Sequence, residues 1–144
     1  MRVGGRFGYA ALVAVLLAAP SCQWAGDQGA VKASFAVIRQ QIDDVNGRIT
    51  TAIQNGEADR IPSLDRDMNA ALDAASKQSS AMNLMDREHL AINVATARRC
   101  LTDMDRYAQA GDLDLLRAQA AQLHPTISEI RVLLDRADRI ATAK

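Results

Sequence analysis

Two cysteines, two histidines and five methionines are the side chains of this 144-residue sequence that could act as soft metal ligands or thiol nucleophiles. If the chain reverses at Asn55-Gly56 and again at Ala110-Gly111, residue counting brings Cys100, His124 and Met68 to one level. Thiolate, imidazole and thioether donors at one height suit copper or zinc, and these three residues form the candidate metal set. The same residues also read as a hydrophobic layer holding a buried thiol, with His124 at its boundary. His89 falls about nine residues below the level of His124, or ~13 Å of helical rise, so the two histidines cannot share one ion. Met82 and Met85 lie toward the opposite end of the same elements.

Carboxylates are plentiful, as Asp43-Asp44, Asp65/Asp67, Asp103/Asp105 and Asp135/Asp138. A di-metal carboxylate bundle needs inward Glu residues and Glu-x-x-His pairs. The only glutamates are Glu57, Glu88 and Glu129, and none has a histidine three positions on. The acids mostly alternate with arginines, as in Asp65-Arg66-Asp67 and Asp135-Arg136-Ala137-Asp138-Arg139, a pattern expected of a solvated helix face with i,i+3 and i,i+4 pairs. The sequence contains no Gly-rich phosphate loop, His-Glu-x-x-His or paired-cysteine spacing, so neither a catalytic residue nor a cofactor is expected.

The N-terminus has a different organisation. Met1–Tyr9 carries Arg2 and Arg6 and no acid, Ala10–Ala19 is apolar and uncharged, and the small residues Pro20-Ser21 precede Cys22. This is the order of a secretory signal peptide, expected over residues 1–21. The apolar run is far shorter than the roughly 20 residues that span a bilayer. Ala19 and Ser21 would allow an ordinary signal peptidase to cut before Cys22. Ala19-Pro20-Ser21-Cys22 also resembles the bacterial lipoprotein signal class, in which a small residue precedes an acceptor cysteine at the end of the apolar run. Ala19 stands where that class usually has Leu, and Pro20 is unusual in it. The resemblance implies lipidation of Cys22 and a membrane tether. With Gln23 in place of Asp at the following position, it implies the outer membrane in a Gram-negative host. The other cleavage leaves a soluble periplasmic or secreted protein. Acylation would leave Cys100 as a lone thiol, which favours its burial, whereas an unmodified Cys22 keeps a Cys22–Cys100 disulfide open.

The elements that must position these residues are helices. Residues 22–29 read as a short polar tether, and residues 30–144 as the folded domain. Apolar residues then recur at spacings of three and four in four stretches. These are Val31, Phe35, Ile38, Ile42, Val45, Ile49 and Ala52; Ile61, Leu64, Met68, Ala71, Leu72 and Ala75; Leu90, Val94, Ala97, Leu101, Met104 and Ala108; and Leu113, Leu116, Ala120, Leu123, Ile127, Ile130, Leu134, Ala137 and Ala141. Pro62 is tolerable in an opening turn. The last stripe keeps phase through Pro125, which predicts one continuous helix kinked there. Asp86 and Asp112 are candidate N-caps, and Ser79–Leu84 a polar connection. Ala52–Glu57 and Tyr107–Asp112 echo one another 55 residues apart, each marking a tight turn. Aromatic residues make up only 3% of the chain, so the core is Leu, Ile, Val, Met and Ala, which suits closely packed helices. The expected fold is all-α, an antiparallel up-down-up-down four-helix bundle with heptad-like seams. Its two glycine turns would stand about 35–40 Å from the chain termini.

The stretches Asn55–Lys77 and Gly111–Leu123 resemble the second and last helices of soluble four-helix b-type cytochromes. That resemblance implies the bundle but not the haem, because the axial methionine and histidine positions fall near Ile42 and Arg131. Charge is balanced at 17 basic and 17 acidic residues, and loss of Arg2 and Arg6 leaves a slight acidic excess, so no nucleic-acid partner is expected. The sequence is read as a non-catalytic envelope lipoprotein whose bundle binds a protein partner. The alternative is a small-ligand, metal or haem carrier of the bundle class. Ile92, Leu115 and Leu133 are apolar positions outside the seams.

Overall fold

A computed structural model describes residues 34–143, and every regular element among them is a helix. Four helices, α1 (Phe35–Gln54), α2 (Ile61–Gln78), α3 (Leu84–Ala110) and α4 (Leu113–Thr142), form a four-helix bundle. α1 packs on α2 and α4, α3 packs on α2 and α4, and the α3–α4 interface is the most extensive. Val31, the tether 22–29 and the Cys22 region lie outside the described residues.

The three-four stripes are the core. All stripe residues of α1 from Phe35 to Ala52 and all those of α2 are buried, as are Leu90 through Met104 of the α3 stripe. In α4, Leu116, Leu123, Ile127, Ile130, Leu134 and Ala137 are buried, while Leu113, Ala120 and, in α3, Ala108 pack against the core from its edge. Ala141 is exposed, unlike the rest of its stripe. Arg39 of α1 pairs with Asp135 of α4, so Ser34, five residues before Arg39, lies near residue 140, and no described α1 residue remains to cover Ala141. Leu133 and Cys100, beside their seams in sequence, are also buried, whereas Ile92 and Leu115 face solvent. α4 runs unbroken through Pro125, which sits on an exposed face where the displaced carbonyl can reach water.

Helix ends follow local chemistry. Ser34 caps α1 and Asp112 caps α4, each side chain accepting from a backbone N–H three residues on. α3 starts two residues earlier than Asp86, so Asn83, not Asp86, is its N-cap, and the polar connection tightens to a 3-10 turn at Ser79–Ala81. The repeated sextets are two copies of one C-terminal motif. Gly56 N–H donates to Ile53 O and Glu57 N–H to Ala52 O; Gly111 N–H donates to Ala108 O and Asp112 N–H to Tyr107 O. Both glycines have positive φ, 73° and 69°, as this Schellman arrangement requires.

Among the described residues, five of the eight ion pairs join different helices: Arg39–Asp135 and Asp43–Arg131 between α1 and α4, Arg48–Asp67 between α1 and α2, Asp73–Arg98 between α2 and α3, and Asp86–Arg136 between α3 and α4. Only Glu57–Arg60, Asp103–Arg106 and Asp114–Arg117 are the intrahelical or local i,i+3 pairs that the alternating charges suggested. The α1–α4 and α3–α4 pairs bring the start of α1, the α2–α3 connection and the last turns of α4 to one end, here termed the entry end. A Cβ on Gly56 would stand 4.0 Å from Leu113 Cδ1, so the two glycine turns adjoin one another.

Around Gly111 nothing lies within 4 Å of an added Cβ, so a substitution there meets only the backbone penalty. Gly111→Ala is expected to cost about 1–2 kcal/mol in urea unfolding; an unchanged midpoint would mean the turn is not left-handed in solution.

Candidate functional site

The candidate metal set is divided by burial. Met68 is fully buried and Cys100 is a buried thiol, both in the hydrophobic core, whereas His124 lies on the exposed surface of α4. Equal height along the bundle does not bring the three to one point, because His124 follows Leu123 around the helix and turns outward. Among the described residues no three His, Cys, Asp or Glu side chains gather as a metal site. His89 is exposed at the other end of α3. Cys22, the proposed lipid acceptor, lies outside the described residues.

The entry end carries the most organised polar cluster. Asp86 is the buried charged residue of the core, 4% exposed, and stepping back four residues from Leu90 along the α3 seam reaches it. Its backbone N–H donates to Asn83 Oδ1 at 2.9 Å, and its Oδ2 accepts from Asn83 Nδ2 at 2.7 Å. Its Oδ1 accepts from Arg136 Nη1 at 2.7 Å, across to α4. Both carboxylate oxygens are therefore satisfied, as a buried charge requires. Beside this cluster opens a cleft of about 470 Å³, lined by Met82, Asn83, Asp86, Ala137 and Ile140 among others. Leu84 and Met85 project nearby, 58% and 62% exposed.

A second polar cluster joins α2 and α3. Asp65 Oδ1 accepts from Asn69 Nδ2 at 2.7 Å, and Asp105 Oδ2 accepts from Gln109 Nε2 at 2.7 Å, so each aspartate is held by an amide four residues on. Asp105 Oδ1 is buried without a hydrogen-bond partner among the described residues. Burial, and secondarily the negative charge of Asp105, push the Asp65 carboxyl above its ordinary 3.8, against the opposing Asn69 hydrogen bond. Asp65 can therefore hold a proton more firmly than a solvated carboxylate does.

The glycine end is acidic. Glu57, Asp59 and Arg60 follow the Gly56 turn, and Asp112, Asp114 and Arg117 line an open recess of about 530 Å³ at the Gly111 turn. Hydrogen bonds from Arg60 and then Asn55 hold Glu57 below the usual carboxylate range. No protein family, curated protein or solved structure matches this chain.

Sequence reasoning missed both Asn83 as the cap and the Asp86–Arg136 pair; the spacing Asn83-x-x-Asp86 at the head of an apolar stripe could have revealed the cap, but no local signal marks the partner on α4. The pairing of Asp65 with Asp105 left no comparable mark.

Asp86→Ala removes a cap partner and an ion pair and is expected to cost about 2 kcal/mol, while Arg136→Met, leaving one buried carboxylate oxygen unpaired, costs about 1–3 kcal/mol. A double-mutant cycle by urea unfolding should give a non-additive pair; additivity would show that the two do not interact. Because the folded chain holds the Asp65 proton more tightly than the unfolded chain, this group's contribution is complete below pH 3.8 and is lost as pH rises through its raised value. Asp65→Asn should therefore be more stable than wild type at pH 7, with the gap closing toward pH 4. A gap independent of pH would contradict the raised Asp65.

Proposed function

We propose that this chain is a non-catalytic envelope lipoprotein, an antiparallel up-down-up-down bundle held at one end by lipid on Cys22 and presenting its glycine end to a protein partner. The observation that carries this reading is the placement of the ion pairs. Residues 39 and 43 of α1 meet residues 135 and 131 of α4 in inverse order, and Asp86 at the start of α3 meets Arg136 near the end of α4. Inverse order supports antiparallel neighbours, and it puts Ser34, where the preceding chain joins, at the entry end. A tether entering there leaves the Gly56 and Gly111 turns far from the membrane, about 40 Å away along α3.

Asp86 is committed to a cap and an ion pair, and the rest of the described core is apolar. With acidic side chains around an open recess and Leu115 exposed beside them, the glycine end suits a partner surface that is basic around an apolar centre. The bundle is an envelope module that holds this tip at a fixed distance from the lipid.

Cys22→Ala should move the protein from the membrane fraction to the soluble fraction, and mass spectrometry of the wild type should find acyl chains on Cys22. Retention of the variant in the membrane would refute the anchor. A photo-crosslinking side chain at position 114, where Asp114 is almost fully exposed, should give a specific covalent adduct in cells, and one at position 88 should not. Adducts from position 88 alone would place the partner at the wrong end.

A further inference from the structure

The entry end of the bundle is built differently from the glycine end. Leu84 and Met85 occupy the first turn of α3, where Cα–Cβ bonds tilt toward the helix N-terminus, so both side chains lean past the end of the bundle. Ile140, 49% exposed in the last turns of α4, and the half-buried Met82 continue this apolar surface into the cleft. Lys77, Arg87 and Arg139 are exposed on the three helix termini that meet here, with Glu88 and Asp138 nearby and Asp86 neutralised by its pair with Arg136. Apolar side chains rimmed by long basic ones are the pattern of a protein surface lying at a lipid interface, the bases extending to headgroup phosphates. None of the described helices is long and apolar enough to cross a membrane, so such contact is at the surface.

We propose that this end seats on a lipid bilayer, with Leu84 and Met85 entering the acyl boundary and Lys77, Arg87 and Arg139 meeting phosphates. The chain preceding Ser34 joins the bundle at this same end, so a tether attached there favours this surface over the distant glycine turns. The proposal rests on the tethered-lipoprotein reading for its setting. Two or three apolar side chains bind a membrane weakly in free solution, and confinement by a short tether raises their effective concentration enough to hold them there. The seated bundle stands upright, and the acidic glycine end faces away from anionic lipid.

The test uses the full protein, purified from membranes and reconstituted into phosphatidylethanolamine–phosphatidylglycerol vesicles. An environment-sensitive fluorophore is placed through Met85→Cys, and in a parallel sample through Asp114→Cys; Cys100 is buried and does not compete. The probe at 85 should shift to the blue on vesicles, be quenched by brominated acyl chains, and lose several-fold of its accessibility to an aqueous quencher, while the probe at 114 changes in none of these. A Leu84→Asp substitution should abolish the response at 85 without changing the far-ultraviolet circular dichroism. A probe at 85 as water-exposed as that at 114, on protein whose mass shows acylated Cys22, overturns the seating and leaves the anchor standing. If Cys22 is unacylated, the anchor fails separately, and the same probes are then read on a Cys22→Ser chain, which has no second accessible thiol, held to nickel-chelating vesicles by an N-terminal histidine tag. There too, a shielded probe at 85 supports the seating and a water-exposed one overturns it. Shielding of position 85 only when envelope proteins are added would make the occupant a protein and overturn the proposal.

Discussion

Four narrow stripes of Leu, Ile, Val, Met and Ala must be hidden from water at once, and no single helix of this chain can hide its own. Each is three to four residues wide per two turns, so it is covered only when a helix lies between two others, as α1 does between α2 and α4. With almost no aromatic side chains to fill space, burial depends on close approach, which the alanines Ala52, Ala71, Ala75 and Ala97 permit. Everything polar is fitted around that requirement. The glycine turns reverse the chain without lengthening it, and the ion pairs line the grooves between helices.

The interhelical pairs are weak as sources of stability, since most are about half exposed, and their value lies in register. A helix sliding one turn along its neighbour would set Arg39 and Arg131 against the wrong partners while leaving the apolar seam almost as well filled. Asp86 is a different case. A buried carboxylate is costly unless both oxygens are met, and it is met only if Asn83 caps α3 and Arg136 of α4 stands opposite. That single contact ties the phase of α3 to the end of α4 and so helps define the entry end.

Much of this was legible in the sequence, and the exceptions have physical causes. Periodicity located the seams because burial of a helix face imposes it, and Asn55-Gly56 and Ala110-Gly111 marked their turns because only glycine enters the left-handed region cheaply. Asp86 escaped because apolar spacing passes over a charged residue that continues the stripe. Arg48–Asp67 and Asp73–Arg98 escaped because local charge alternation looks the same whether pairs close within a helix or across a groove. Residue counting gave Cys100, His124 and Met68 a common height, but height comes from the rise per residue and facing from the 100° step, and a shared height leaves the facing open. Cys100, next to Leu101, turns inward, and His124, next to Leu123, turns outward. The acid pair Asp65–Asp105 depends on the rotational setting of two helices, which no local pattern records.

In the proposed two-ended arrangement, the length of the helices would keep lipid attachment and partner recognition apart. Pulsed electron resonance between spin labels measures that separation directly. Labels introduced through Ser80→Cys and Asp114→Cys should lie about 40 Å apart, the length of the 27-residue α3 at ~1.5 Å per residue. Labels at Ser80→Cys and Thr142→Cys should give a distance about half as long or less. A short distance from 80 to 114, or a long one from 80 to 142, would mean that the entry end does not exist as described.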